Sequence, residues 1–319
     1  MKISGFTMGK NALKLYYPMR QSVESILPLV DEFVVVLGDS DEDDNTRAEI
    51  AAIGSDKIRI VDTTWDIEKY PRGMEHAHQT DLAMKHCSGD WLFYLQSDEV
   101  VHERDLETIR LRCEELLDDQ EVEGLLFRYR HFWGDYEHVQ DGHCWYRKEI
   151  RIVRNKADIH SWESAQSFRT IPGFDGVNYR QQEGTYKLRV AEVDAEIFHY
   201  GWVRPPWLMQ NKIKAFKTNH RGRESVAKME AEHMFDRVFD YGNLSKLTLY
   251  KGSHPAVMLP WMETFDWKDQ LRFSGPARSQ NPSKPKHDRF KYRMISWIEK
   301  KLLGGRRLGE FSNYILLNR

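Results

Sequence analysis

Asp90-Trp91-Leu92-Phe93-Tyr94-Leu95-Gln96-Ser97-Asp98-Glu99-Val100 is the stretch whose reading decides the fold. Its apolar run, 91–95, is short, rich in aromatic residues and preceded by Ser88-Gly89-Asp90, which reads as a buried strand rather than a helical turn. The run stops abruptly at Gln96, Ser97, Asp98 and Glu99. Two carboxylates therefore fall at the carboxyl end of a strand, where open α/β sheets build their ligand sites. The competing reading lets Asp98 and Glu99 open a loop and cap a helix that starts near Glu103. The surrounding chain decides between them.

Upstream, strand and helix patterns alternate. Ile3, Phe6 and Met8 mark a first strand over 2–8, and Val23, Ile26, Leu27 and Val30 fall at helical spacing over 22–30, with Pro28 near the end. Phe33-Val34-Val35-Val36-Leu37 is the continuous run that a parallel strand buried on both faces requires. A short third strand over 57–61 and a helix over 74–87 follow, the helix with Ala77, Leu82, Ala83 and His86 on its inner face. The opening stretch is then the fourth strand of a β-α-β-α-β-α-β series, which predicts one mostly parallel sheet with helices on both faces.

The second strand ends in the most acidic run of the chain, Gly38-Asp39-Ser40-Asp41-Glu42-Asp43-Asp44-Asn45-Thr46. Counted from Asp39 as a calcium loop, its sixth position is Asp44 instead of glycine and its twelfth is Ile50 instead of glutamate, so that reading fails. A solvated turn before a helix capped at Asn45 or Thr46 is one remaining reading. The other has Asp39 or Asp41 accept hydrogen bonds from the ribose or base of a nucleotide at the sheet edge. Asp98 and Glu99 fall on that same edge, and the convergence of two acidic clusters favours a site. Arg72, in a glycine-containing loop, can meet a phosphate, and Gln79 and Asp81 lie on the helix that feeds the fourth strand. His76 and His78 are two apart, point to different sides of a helix, and do not readily share a metal.

Downstream, a helix is expected over 103–119 and strands over 124–132 and 146–153, the latter with alternating basic residues that suit antiparallel pairing. The segment 159–168 is too polar for a buried strand and reads as a loop over the site. In it, Glu163 beside Trp162 is either a surface glutamate or a carboxylate whose apolar neighbour raises its pKa toward general-base use. Ile197 and Phe198 end a strand at His199. A core histidine satisfied by backbone is the commoner fate, yet a neutral imidazole is also the usual nitrogen ligand for a divalent ion otherwise held by oxygen. Arg204 follows, and Lys212, Lys214 and Lys217 on a helix over 207–220 add positive charge near it. Residues 278–288 look like an exposed linker. The helix over 290–303 is basic and amphipathic. Docking on the protein's own core is its default use, and attachment to an anionic membrane surface is the alternative.

Composition adds boundaries. The chain has 319 residues, a formal net charge of -2, and 10 Trp and 14 Tyr, which suggest aromatic surfaces near a ligand. That charge gives no overall attraction to nucleic acid or anionic lipid. Cys87, Cys113 and Cys144 are too widely spaced for a zinc ribbon or disulfide framework and suit a reducing compartment. Residues 1–8 lack a signal-peptide pattern and no segment reaches membrane-spanning length, so the expected location is cytoplasmic, with the inner membrane surface open through the basic helix.

These residues resemble the family 2 nucleotide-sugar glycosyltransferases of the GT-A fold. The resemblance rests on the strand order, the acidic run after the second strand, Gly89-Asp90-Trp91 leading into the fourth, and Gln96-Ser97-Asp98-Glu99 where the family carries its D-x-D motif. It spans residues 1–205 as the catalytic domain, with His199-Tyr200-Gly201-Trp202-Val203-Arg204 resembling one bacterial subgroup; 206–319 is then a mainly helical extension packed on that domain. The resemblance implies a nucleotide-diphosphate sugar donor, a glycan, lipid-linked or protein acceptor, and a Mn2+ or Mg2+ ion bridging the diphosphate. The metal role falls on Asp98. Gln96 stands where the family has its first aspartate, so Glu99 or His199 compensates. The resemblance further implies Glu163 as base with Asp175 in reserve, Asp39 and Asp41 at the nucleoside, and Arg72, Gln79, Asp81, Gln96, Ser97 and Arg204 on the donor side. Two other classes stay open. A nucleotidyltransferase needs a better phosphate loop than Thr7-Met8-Gly9-Lys10-Asn11, and a non-catalytic sugar-nucleotide or partner-binding protein is compatible with Gln96.

Overall fold

Residue alternation along the first strands sets the layers. The structure, a computed structural model, describes residues 1–275, 285–304, 307–309 and 312–319. The chain begins with β1 (Ile3–Gly9), α1 (Met19–Ile26), β2 (Glu32–Leu37), α2 (Thr46–Ala51), β3 (Ile58–Asp62), α3 (Met74–Lys85) and β4 (Trp91–Tyr94), in the expected order. β1 pairs in parallel with β2 and β4, and β2 with β3, giving the spatial order β3-β2-β1-β4. Phe33, Val35, Trp91 and Phe93 face one layer with Val23 and Ile26 of α1, whereas Val34, Val36, Leu92 and Tyr94 face the other with Ala83 and Met84 of α3. Both faces are dry, which is why these strands carry unbroken apolar runs. The α/β class with helices on both sheet faces is thus the one expected. α1 stops before Pro28, which cannot donate the next helical hydrogen bond.

The sheet then turns mixed. β5 (Glu99–Val101), α4 (Leu106–Glu115), β6 (Gly124–Trp133), β7 (His138–Val139), β8 (Lys148–Arg154), β9 (Ile159–Trp162), β10 (Ser167–Thr170) and β11 (Tyr186–Trp202) follow. β8 runs antiparallel between β4 and β6, and β11 runs parallel to β6. Three local expectations are corrected. Glu99 to Val101 are a strand paired with β11, not the start of a loop. The helix expected over 103–119 opens as a tight turn and ends at Glu115. The polar segment 159–168 is a hairpin, in which Asp81 accepts the Ser161 N–H and Glu149 accepts the Ser167 hydroxyl.

The remaining elements are α5 (Pro206–Arg221), α6 (Arg223–Ala231), β12 (Thr248–Leu249), α7 (Leu259–Met262), α8 (Phe290–Lys301) and β13 (Tyr314–Leu316). β12 pairs with β7, and β13 returns to lie beside β11, so the last residues rejoin the main sheet. Residues 278–284 of the expected linker, and Arg306 of the expected basic segment, lie outside the described residues. At the linker's end Lys286 is exposed, but the Asp288 side chain is turned inward and paired with Lys246 and Arg272. Among the described residues no helix is long and apolar enough to cross a membrane.

Candidate functional site

The turn after β4 and the end of β11 meet at one point. The Tyr200 N–H donates to the Asp98 carbonyl at 2.8 Å, and β11 changes register against β6 between His199 and Trp202. Such an irregularity re-aims side chains. Asp98, only 6% exposed, has Oδ2 3.7 Å from Nε2 of His199 and 3.6 Å from Nζ of Lys212 on α5. Gly201 makes the space between them: a Cβ there would lie 2.3 Å from Asp98 Oδ2, 2.7 Å from His199 Nε2 and 3.0 Å from Lys212 Nζ. Burial by itself pushes the Asp98 carboxyl upward, but His199, Lys212 and Arg204 together outweigh it and hold the group well below the usual carboxylate range.

The hydrogen-bond network assigns the tautomers. Burial, reinforced by His199, pushes the pKa of His131 well down and keeps its ring neutral. Its Nε2 faces the Tyr146 carbonyl at 2.8 Å and must donate, so its Nδ1 accepts, and His199 Nδ1, 2.9 Å away, supplies that proton. With its Nδ1 proton given to His131, His199 turns Nε2 toward an ionised carboxylate oxygen. At 3.7 Å they make no hydrogen bond. Two donor atoms each about 2.1 Å from a common ion lie about 3–4 Å from each other, so this pair fits a divalent cation with mixed nitrogen and oxygen ligands. The Gly201 cradle leaves room for one. No metal is needed to explain Glu99, however.

The pair opens into a cleft of about 1540 Å³ lined by Gln96, Ser97, Asp98, His199 and Lys212, with Trp65, Trp162, Glu149 and Glu163 among its other walls. The Lys212 ammonium donates to the Gly201 carbonyl and lies 5.1 Å from the centres of both the Tyr17 and Trp202 rings. Burial first and Arg204 second lower its pKa to about 7, with Asp98 pulling the other way. Glu149 is a second cleft carboxylate, raised by burial, that accepts from Ser167 and from the Ile150 N–H. Glu163 sits at the hairpin turn with φ 59°, two residues from Ala165 at φ 60°. Left-handed backbone at two non-glycine residues is costly and clusters at functional sites.

The residues singled out from the sequence fall into two groups. Asp41, Gln96, Ser97, Asp98, Glu163 and His199 line the cleft. The others do not, each for a visible reason. Glu99 is fully buried and spent: Arg151 donates to both its oxygens at 2.7 and 2.8 Å, Tyr129 adds a third bond and the Gln96 N–H a fourth, which leaves nothing for a metal. Asp39 accepts from the Trp65 N–H and pairs with Lys10. Gln79 bridges Glu75 and Thr63, and Asp81 holds His160 and Ser161. Arg204 is fully buried, donates to the Leu15 and Gly201 carbonyls and stacks 4.5 Å over Tyr17. Arg72 is an exposed turn residue at φ 58°, and Asp175 closes its own loop by accepting from the Val177 and Asn178 N–H groups. The Gln96 amide donates to the Ala165 carbonyl, tying the fourth strand to the hairpin turn.

Sequence reading noted Lys212 only as nearby charge and passed over His131, Glu149 and Gly201. The glycine within an aromatic strand end was the one local signal available. A separate group, Asp135, Glu137 and His138, brings three ligand atoms within 4.8 Å of one another, but Asp135 is already occupied by the N–H groups of Glu137 and His138 and by the His138 ring.

No protein-family model and no curated protein sequence matches this chain. Among solved structures it is similar to glucosyl-3-phosphoglycerate synthase from Mycobacterium tuberculosis in complex with Mn2+, UDP and phosphoglyceric acid, at 19% identity and a TM-score of 0.29, over 40% of this chain and 43% of that one. The same enzyme with Mg2+ and UDP gives the same values. Residues 1–349 of S. aureus TarS are similar over 69% of this chain and 65% of that one, at 14% identity and a TM-score of 0.36. The matched region spans less than half the length of the mycobacterial enzyme.

Proposed function

We propose that the protein is a metal-assisted, inverting glycosyltransferase that moves a sugar from a nucleoside-diphosphate donor to an acceptor hydroxyl. The observation that carries this reading is the ionised Asp98 facing Nε2 of His199 across 3.7 Å, inside a cleft at the carboxyl edge of the parallel strands. Asp98 and His199 are the residues that would hold Mn2+ or Mg2+, which when bound supplies positive charge to the leaving diphosphate. Lys212 sets a second cation beside the first. Asp41, Gln96 and Ser97 line the same cleft, and in this reading they meet the donor, Asp41 at its nucleoside.

Glu163, on the cleft wall at the hairpin turn, accepts the proton of the acceptor hydroxyl as the new bond to the anomeric carbon forms and the bond to the diphosphate oxygen breaks. The acceptor is a glycan, a lipid-linked sugar or a protein hydroxyl. In this reading residues 1–205 form the catalytic unit, 206–319 the extension packed on it, and the protein works in the cytoplasm. A non-catalytic sugar-nucleotide binder is the second reading. It is favoured by the engagement of both Gln96 and Glu99 in structural bonds, which leaves one carboxylate and one imidazole for the ion. Release of nucleoside diphosphate from UDP-, GDP- and dTDP-sugars, with and without Mn2+, separates the two. Turnover undiminished in both Asp98→Ala and His199→Ala would sink the proposed mechanism; binding without turnover in the native protein would select the second reading.

A further inference from the structure

The helix α8 is amphipathic in the inverted sense. Phe290, Met294 and Trp297, spaced four and three apart on one face, are 76%, 47% and 56% exposed. The face turned inward is polar instead: Ser296 accepts the His143 N–H at 2.9 Å, and the buried Glu299 accepts from the His143 ring at 2.6 Å and from the Leu308 N–H. The default expectation that this helix buries its apolar side on the protein's own core is thereby corrected. Ile295 and Ile298 are half-buried, and the large side chains face solvent.

Charge is sorted just as sharply. Across 285–304 the cations Lys286, Arg289, Lys291, Arg293, Lys300 and Lys301 are all exposed, while the side chains of the two acids, Asp288 and Glu299, are turned inward and paired. Leu302 and Leu308, both exposed, extend the apolar surface beyond the helix. Lys300 pairs with Asp141, and the other cations flank the stripe; an apolar stripe with aromatic residues and a cationic border is what an in-plane interfacial helix presents to lipid. A second copy of this chain would bring two cationic rims together, which opposes a symmetric contact.

We propose that this face of α8 docks on an anionic phospholipid bilayer, with Phe290, Met294 and Trp297 entering the headgroup boundary and the flanking Lys and Arg facing lipid phosphates. The segment that anchors α8 also lines the cleft, through His143 and Trp145, as does Leu308. Docking would therefore bring the cleft rim to the lipid surface, where a lipid-linked acceptor is presented. That consequence rests on the transferase reading; the docking itself does not.

Flotation with phosphatidylcholine vesicles, with and without phosphatidylglycerol, tests the proposal without any sugar donor. The full-length protein is expected to float with the anionic vesicles, with a blue shift of Trp emission, and to stay behind with neutral ones. Phe290→Ser with Trp297→Ser abolishes flotation. Lys291→Gln and Arg293→Gln, which leave the apolar stripe intact, weaken partitioning by about fivefold for each charge removed. Unchanged urea unfolding of either variant assigns the loss to the surface. The proposal is overturned if the native protein ignores anionic vesicles, if both variants float as it does, or if it forms a dimer that Trp297→Ser dissolves.

Discussion

Adding a single methyl group at Gly201 is the sharpest way to ask whether the Asp98–His199 gap is the working centre. Gly201 has no left-handed backbone to strain, so alanine acts through its Cβ alone. That atom would lie 2.3 Å from Asp98 Oδ2 and 2.7 Å from His199 Nε2, against an ordinary contact of 3.4 Å or more, so one partner must retreat by about 1 Å. Lys212 can swing away on its long stem. The two ligands cannot do so as cheaply: the His199 ring is held through Nδ1 by His131, and Asp98 lies in a turn whose carbonyl is bonded to Tyr200. A misplacement of about 1 Å at reacting groups costs about 100-fold in rate, or about 2.7 kcal/mol of barrier. Overpacking costs about 1–3 kcal/mol of stability, enough to lower but not abolish folding. Gly201→Ala is therefore expected to lose Mn2+ affinity in calorimetric titration and about 100-fold in nucleoside diphosphate release while still unfolding cooperatively. Native Mn2+ affinity together with native turnover would refute the assignment of this gap as the ion site.

Other perturbations separate structure from chemistry. Glu99→Ala leaves the buried Arg151 unpaired and should cost about 3–5 kcal/mol in urea unfolding, whereas Asp98→Asn should remove metal-dependent turnover at a far smaller structural cost. Glu163→Gln should lower turnover by about 10²–10⁴-fold with little change in donor affinity, and Asp175→Asn should leave rates unaltered, since its carboxylate is occupied by its own loop. In metal-free buffer Lys212 makes stability depend on pH with a definite sign. Its folded pKa of about 7 lies below the ordinary 10.5, so the unfolded chain binds more protons between these values. The penalty of burying the cation is full below pH 7 and is relieved as pH rises toward 10.5, by about 5 kcal/mol at most. Unfolding at pH 7 and pH 9 should show about 2 kcal/mol of that gain in the native protein and a flatter response in Lys212→Met; equal slopes would refute it.

The parallel half of the fold was legible because its signals are local. A continuous run such as Phe33 to Leu37 needs two dry faces wherever it occurs, and the alternation of such runs with helical stripes leaves few topologies. The later half was harder to read because its pairing is decided at a distance. The hairpin turn that carries Glu163 is flanked by serines that look like loop residues until Asp81 takes the Ser161 N–H and Glu149 the Ser167 hydroxyl, from 80 and 18 residues away. Likewise Asp98 and His199 each stood out, but their meeting depends on the register change near Gly201 at the end of a long strand. The misreading of Glu99 is more instructive, since the correction was within reach. Glu99 opens β5, all of whose residues are buried, and an ionised glutamate survives there only beside a cation. Arg151, on a strand whose alternating bases suit antiparallel pairing, is that cation, 1% exposed and bidentate. An acid next to a proposed ligand is thus better read as a demand for a buried partner than as a second ligand, and Glu99 meets that demand through Arg151.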